Sequence, residues 1–129
     1  TANTFSKIAF DTESYDYGGF YDAATDKRLE ITATSTWLLM ASVKLAGPAG
    51  AALNDSDNAR IRFTKNGTQT IGIRQEKVGG TGLSPVVQVV AIVQAVNTDY
   101  IEVEAMSTDT NFRIAASATE TWFTGWRIR

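Results

Sequence analysis

The residues richest in chemical possibility crowd the start of the chain. Asp11, Glu13, Asp16 and Asp22 stand among Tyr15, Tyr17, Phe20 and Tyr21. Carboxylates a few residues apart can coordinate calcium. Two that face each other across a cleft can hydrolyse a glycosidic bond while aromatic rings stack on the sugar. The spacing here matches no metal-binding loop, and a solvated loop with aromatic anchors accounts for it more simply. Asp55 and Asp57 in "NDSDN" raise the same question, but their loop lacks the Gly and the distal Glu that complete an EF-hand. Ser and Thr are abundant, yet the sequence has neither His nor Cys. The commonest general base, the commonest transition-metal ligand and every thiolate are therefore missing, and a nucleophilic triad of the usual kind cannot be assembled. We expect no enzyme, no metal and no cofactor.

Other motifs carry less. Asn54-Asp55-Ser56 and Asn66-Gly67-Thr68 match the glycosylation sequon, but no secretory signal accompanies them. The glycines of "GGTG" are followed by Pro85 and a strand rather than by a helix, so they form no phosphate cradle. Arg60, Arg62 and Arg74, with Arg113, Arg127 and Arg129, read as a solvated outer face. With a net charge of −2 the chain has no surplus of cations to neutralise phosphates, which argues against nucleic acid and anionic membranes as partners. Its longest apolar run, "PVVQVVAIVQAV", is too short to cross a bilayer as a helix. A threonine at position 1 is what removal of an initiator Met leaves, and equally what processing leaves.

The elements that must position these residues show almost no helical period. Alternation at period two recurs instead, between short turn-like clusters. Arg28 to Thr34 places Leu29, Ile31 and Ala33 on one face. "ARIRFTK" points Ile61 and Phe63 inward, "QTIGIRQ" Ile71 and Ile73, "YIEVEAM" Ile101 and Val103, and "FRIAAS" Phe112 and Ile114. "NGT" at Asn66 to Thr68 supplies a tight hairpin turn between two of them. "AGPAGAALNDSDN" and "KVGGTGLSP" read as loops.

Three segments break the alternation because both of their faces are apolar: Trp37 to Leu45, Val86 to Val96, and the closing "TWFTGWRI". A strand dry on both sides needs a second surface to bury against. These are either the central strands of a thick sandwich or part of a subunit interface.

About nine short strands in 129 residues, without helices, suggest one jelly-roll sandwich. "FDTESYDYGGFYDAATDKRLEITATSTWLLMASVKL", "KNGT", "NTDYIEVEAM" and "TWFTGWRI" occur in the order and spacing of four elements of the C1q/TNF-like jelly-roll superfamily, and the chain resembles its bacteriophage members over nearly its whole length. Thr36 stands where the family often has Gly, Leu38 where it often has Tyr, and Asn97-Thr98 where it has Ala-Gly.

The resemblance implies an all-β, single-domain antiparallel jelly-roll β-sandwich over residues 1–129, with 1–7 as a lead or arm, assembling as a homotrimer about its inner sheet. Trp37, Leu39, Val87, Val89, Val93 and Phe123 are then expected at the trimer interface, with Phe123 on one face of the last strand and Trp122, Trp126 and Ile128 on the other. It further implies a non-enzymatic virion protein, a capsid decoration (cement) protein on the outer head surface that contacts the major capsid protein. The alternative is the tip of a tail or head fibre, carried on a fibre shaft and recognising a host surface glycan or protein.

Overall fold

A computed structural model of the chain describes residues 4–10, 19–47, 57–77, 84–109, 112–115 and 119–129. These hold ten strands and no helix: β1 (Ser6–Lys7), β2 (Tyr21–Asp22), β3 (Arg28–Glu30), β4 (Ser35–Ala46), β5 (Asn58–Lys65), β6 (Gln69–Lys77), β7 (Val86–Ala95), β8 (Tyr100–Ser107), β9 (Arg113–Ile114) and β10 (Trp122–Arg127). The "GGTG" glycines and most of "AGPAGAALNDSDN" lie outside the described residues.

The strands form two antiparallel sheets. In the first the order is β2-β3-β8-β5-β6, and β1, formed by the last two residues of the expected lead, pairs with β8 beyond the end of β3. In the second the order is β10-β4-β7, with β9 pairing with the far end of β4. The division follows the sequence pattern. Four of the amphipathic segments supply β3, β5, β6 and β8 of the first sheet. The three segments apolar on both faces supply β4, β7 and β10 of the second. All-β character and a two-sheet sandwich are thus the architecture of the described residues.

The core lies between the sheets. Leu29, Ile61, Phe63, Ile101 and Val103 of the first meet Trp37, Leu39, Val43, Val87 and Val89 of the second, each nearly or wholly inaccessible to water. Burying a side chain of this size stabilises the fold by roughly 1.5–3 kcal/mol. Six of the ten β7 residues are Val or Ile, whose branched side chains suit a pleated surface. Trp37 reaches the core because its indole N–H donates to Ser35 Oγ at 2.8 Å, while Phe20 meets its ring edge-on at 5.1 Å.

Two glycines allow the sheets to approach. A Cβ on Gly125 would lie 3.3–3.5 Å from Leu39, Leu29 and Trp37, and one on Gly72 would lie 2.9 Å from the Cβ of Ala91. Gly72 is therefore where β6 crosses close over β7.

The register around Gly72 corrects one expectation. A β-bulge between Phe63 and Thr64 sets Gly72 opposite Phe63 and Ile73 opposite Arg62. Ile73 consequently shares the outer face with Arg62 and is exposed, not inward.

Candidate functional site

Of the candidate carboxylates, Asp22 and Asp57 are among the described residues, and both are engaged within the fold. The Asp22 carboxylate accepts hydrogen bonds from the N–H groups of Thr25 (2.8 Å), Ala24 (3.0 Å) and Asp26 (3.2 Å). These bonds, led by the one from Thr25, hold its carboxyl below the usual range. Asp26 and Glu30 come within ligating distance of Asp22, but both are claimed by the Arg28 guanidinium at 3.0 and 3.1 Å. The cluster staples the β2–β3 turn. Asp57 accepts a hydrogen bond from the Thr108 hydroxyl at 3.0 Å, tying the start of β5 to the end of β8. Asp11, Glu13, Tyr15, Asp16, Tyr17 and Asp55 lie outside the described residues.

The two sheets present outer faces of opposite character. The first is a ladder of satisfied charges. Lys7 pairs with Glu102 at 2.7 Å, and Arg62 pairs with Glu104 at 2.6 Å while lying over the Phe5 ring at 3.9 Å. Arg60 donates to Gln75, and Arg28 lies over the Tyr100 ring at 4.2 Å. Arg74 and Glu76, paired at 2.8 Å, stand opposite Ile61 and Ala59 and so project from the inward side of β6 at the edge of the sheet. These charges satisfy one another. Of the arginines expected on one solvated outer face, Arg60 and Arg62 lie here, whereas Arg74 shares the inward parity of Ile61, and Arg113 and Arg127 stand on β9 and β10 of the other sheet.

The second sheet's outer face is almost free of charge. Register places Trp126, Leu38 and Ile92 side by side in one row across β10, β4 and β7. Thr124, Met40 and Val90 form the next row, and Trp122, Ser42 and Gln88 the one after. Ile92 is 68% exposed, Val90 57% and Trp126 51%. Val86 and Ile128 extend the exposed apolar surface at its ends. The one charged residue on this face of the three strands is Lys44, and it is neutralised by Glu120 at 2.8 Å.

The six residues expected at a trimer interface fall on the inner side of this sheet. Trp37, Leu39, Val87, Val89 and Val93 are buried in the chain's own core. Phe123 packs among Phe63, Tyr21 and Phe10, with ring centroids 5.8–6.0 Å apart. Trp122, Trp126 and Ile128 do lie opposite Phe123, but on the outside: Trp126 is the exposed ring and Phe123 the packed one. Any partner of this sheet therefore meets the alternate positions, Leu38, Met40, Val90, Ile92 and Trp126. Period-two parity separates the two sets, because the polar Lys44, Gln88, Gln94 and Thr124 all share the outer parity.

At one end of the sandwich the β5–β6 and β7–β8 turns are locked together. Asn66 Nδ2 donates to Asp99 Oδ1 at 2.7 Å, and Asn66 Oδ1 accepts from the Tyr100 N–H at 3.0 Å. The Asn66 amide and the Val96 N–H hold the Asp99 carboxyl below its usual range. Thr98, in the turn where the family resemblance leads one to expect Gly, has φ 79°, in the left-handed region that β-branched residues rarely enter.

No protein-family model matches the chain, and no curated protein matches its sequence.

Proposed function

We propose that the protein is a non-enzymatic structural protein of a bacteriophage virion: a jelly-roll subunit that assembles as a homotrimer through the outer face of β10-β4-β7 and decorates the outer surface of the capsid. The observation that carries this reading is the contrast between the two outer faces, one a ladder of paired charges and the other neutral with Trp126, Ile92 and Val90 in the open. β10, β4 and β7, about 4.8 Å apart and 6, 12 and 10 residues long, make a face roughly 14 Å wide over the length of β10, about 20 Å, and narrower beyond it. Monomers seldom leave a continuous apolar patch of more than a few hundred Å² in water. A second and third copy suit this face, because a neutral apolar surface is complementary to itself and needs no opposite charge on its partner.

The absence of His and Cys from the sequence, together with the engagement of Asp22, Asp26, Glu30 and Asp57 in structural hydrogen bonds and ion pairs, supports a role without catalysis. The virion assignment rests on the sequence resemblance. Electron microscopy of source particles labelled with an antibody against the purified chain tests it. Label over the head surface is expected. Label confined to fibre ends would favour the fibre-tip alternative, and unlabelled particles would contradict a virion role.

A further inference from the structure

The locked end of the sandwich encloses an open hollow of about 730 Å³ between the end of the second sheet and the β5–β6 hairpin. Its wall is preorganised by the Asn66–Asp99–Tyr100 hydrogen bonds, and its lining includes side chains with nothing to do. Thr34, Thr36, Gln69, Gln94 and Arg129 reach it, and among the described residues none of their side chains makes a hydrogen bond or ion pair. The backbone of Arg129 is held in place: its main-chain oxygen accepts from the Thr36 N–H at 3.0 Å. Lys65 also lines the hollow, and its nearest carboxylate, Asp99, stands 3.9 Å away and already accepts hydrogen bonds from Asn66 and Val96.

We propose that this hollow binds a sugar unit carrying a carboxylate. Two hydroxyls and two carboxamides, each able to donate and accept, match the hydroxyls of a sugar ring. The Arg129 guanidinium, with no acidic side chain paired to it among the described residues, matches a single carboxylate, which it can hold through two parallel hydrogen bonds. The volume lies within the range of small-molecule sites. Among the described residues no aromatic side chain lines the hollow, so the ring gains no stacking from them and a single site binds weakly, in the millimolar range typical of a few exposed polar contacts. Repeated sites on an assembly facing a repeating polysaccharide would multiply that affinity. The proposal needs only one folded chain and is independent of where the protein sits.

Amide chemical-shift titration of the full chain with glucuronate tests it, with glucose, acetate and inorganic phosphate as comparison probes. We expect glucuronate to shift the amides of 65–69, 94–99 and 129. Glucose should be clearly weaker, and acetate and phosphate should not reproduce the pattern. Arg129→Gln should weaken glucuronate by about tenfold, the loss of one charge-assisted contact, and leave the melting temperature unchanged, since Arg129 is exposed. The proposal is overturned if these amides do not move or if the shifts fall elsewhere. Equal binding of glucose, acetate or phosphate overturns it too, as does an Arg129→Gln chain that binds glucuronate as tightly as the parent.

Discussion

Leu38 on β4 and Ile92 on β7 stand directly opposite each other on the side of their sheet that faces away from the core. Such pairs normally sit beneath a second layer, because each apolar side chain left in water forgoes roughly 25 cal/mol per Å² of burial. Ile92→Lys places a charge in the middle of that row. The variant should keep its β-sheet circular dichroism, because Ile92 makes no core contact, and should sediment as a monomer. A variant that still assembles like the parent would show that this row is not an interface.

Phe123 and Trp126, three residues apart on β10, should respond in opposite ways. Phe123→Ala removes a ring packed against Phe63, Tyr21 and Phe10 and should cost about 3–5 kcal/mol in denaturant unfolding. Trp126→Ala leaves the core intact and should cost far less in a chain already made monomeric by Ile92→Lys. The reverse ranking would place the wrong face inside.

Thr98→Gly should stabilise the chain. The left-handed backbone costs a β-branched residue about 1–2 kcal/mol, and the extra unfolded-state freedom of glycine returns part of that. A net gain of about 0.5–1 kcal/mol is expected in urea unfolding, while a loss would mean that the Thr98 side chain makes a contact of its own.

Acid should weaken the locked end through Asp99. Because the folded carboxyl titrates below its unfolded value, the stability it contributes is present above about pH 4. That contribution is lost as pH falls through the lowered folded value. Asp99→Asn should flatten that part of the curve of melting temperature against pH, and Asn66→Ala should shrink it by removing the main donor. An unaltered curve in both variants would dismiss the Asn66–Asp99 pair as a source of stability.

Much of this fold was legible in the sequence because alternation records which face meets water. Arg60, Arg62, Glu102 and Glu104 mark the wet face of the first sheet directly. The dryness of β4, β7 and β10 marked them as needing a second surface, and it was the resemblance that put them on one sheet, which they share. What dryness hides is direction: with both faces apolar, Phe123 and Trp126 are equal candidates for the core. Only the sparse polar residues, Lys44, Gln88, Gln94 and Thr124, reveal the outside. Ile73 escaped for a different reason, since a bulge shifts the register of one strand against its partner and alternation within β6 does not record it. The hollow was not legible at all, because Thr34, Lys65, Gln94 and Arg129 are far apart in sequence and meet only when the turns are locked.

The central claim is that the neutral face of β10-β4-β7 is covered by other copies of this chain. Sedimentation equilibrium of the full chain at micromolar concentration tests it most directly. We predict a single species of three times the 14.0 kDa chain mass. A particle of 14.0 kDa would contradict the claim.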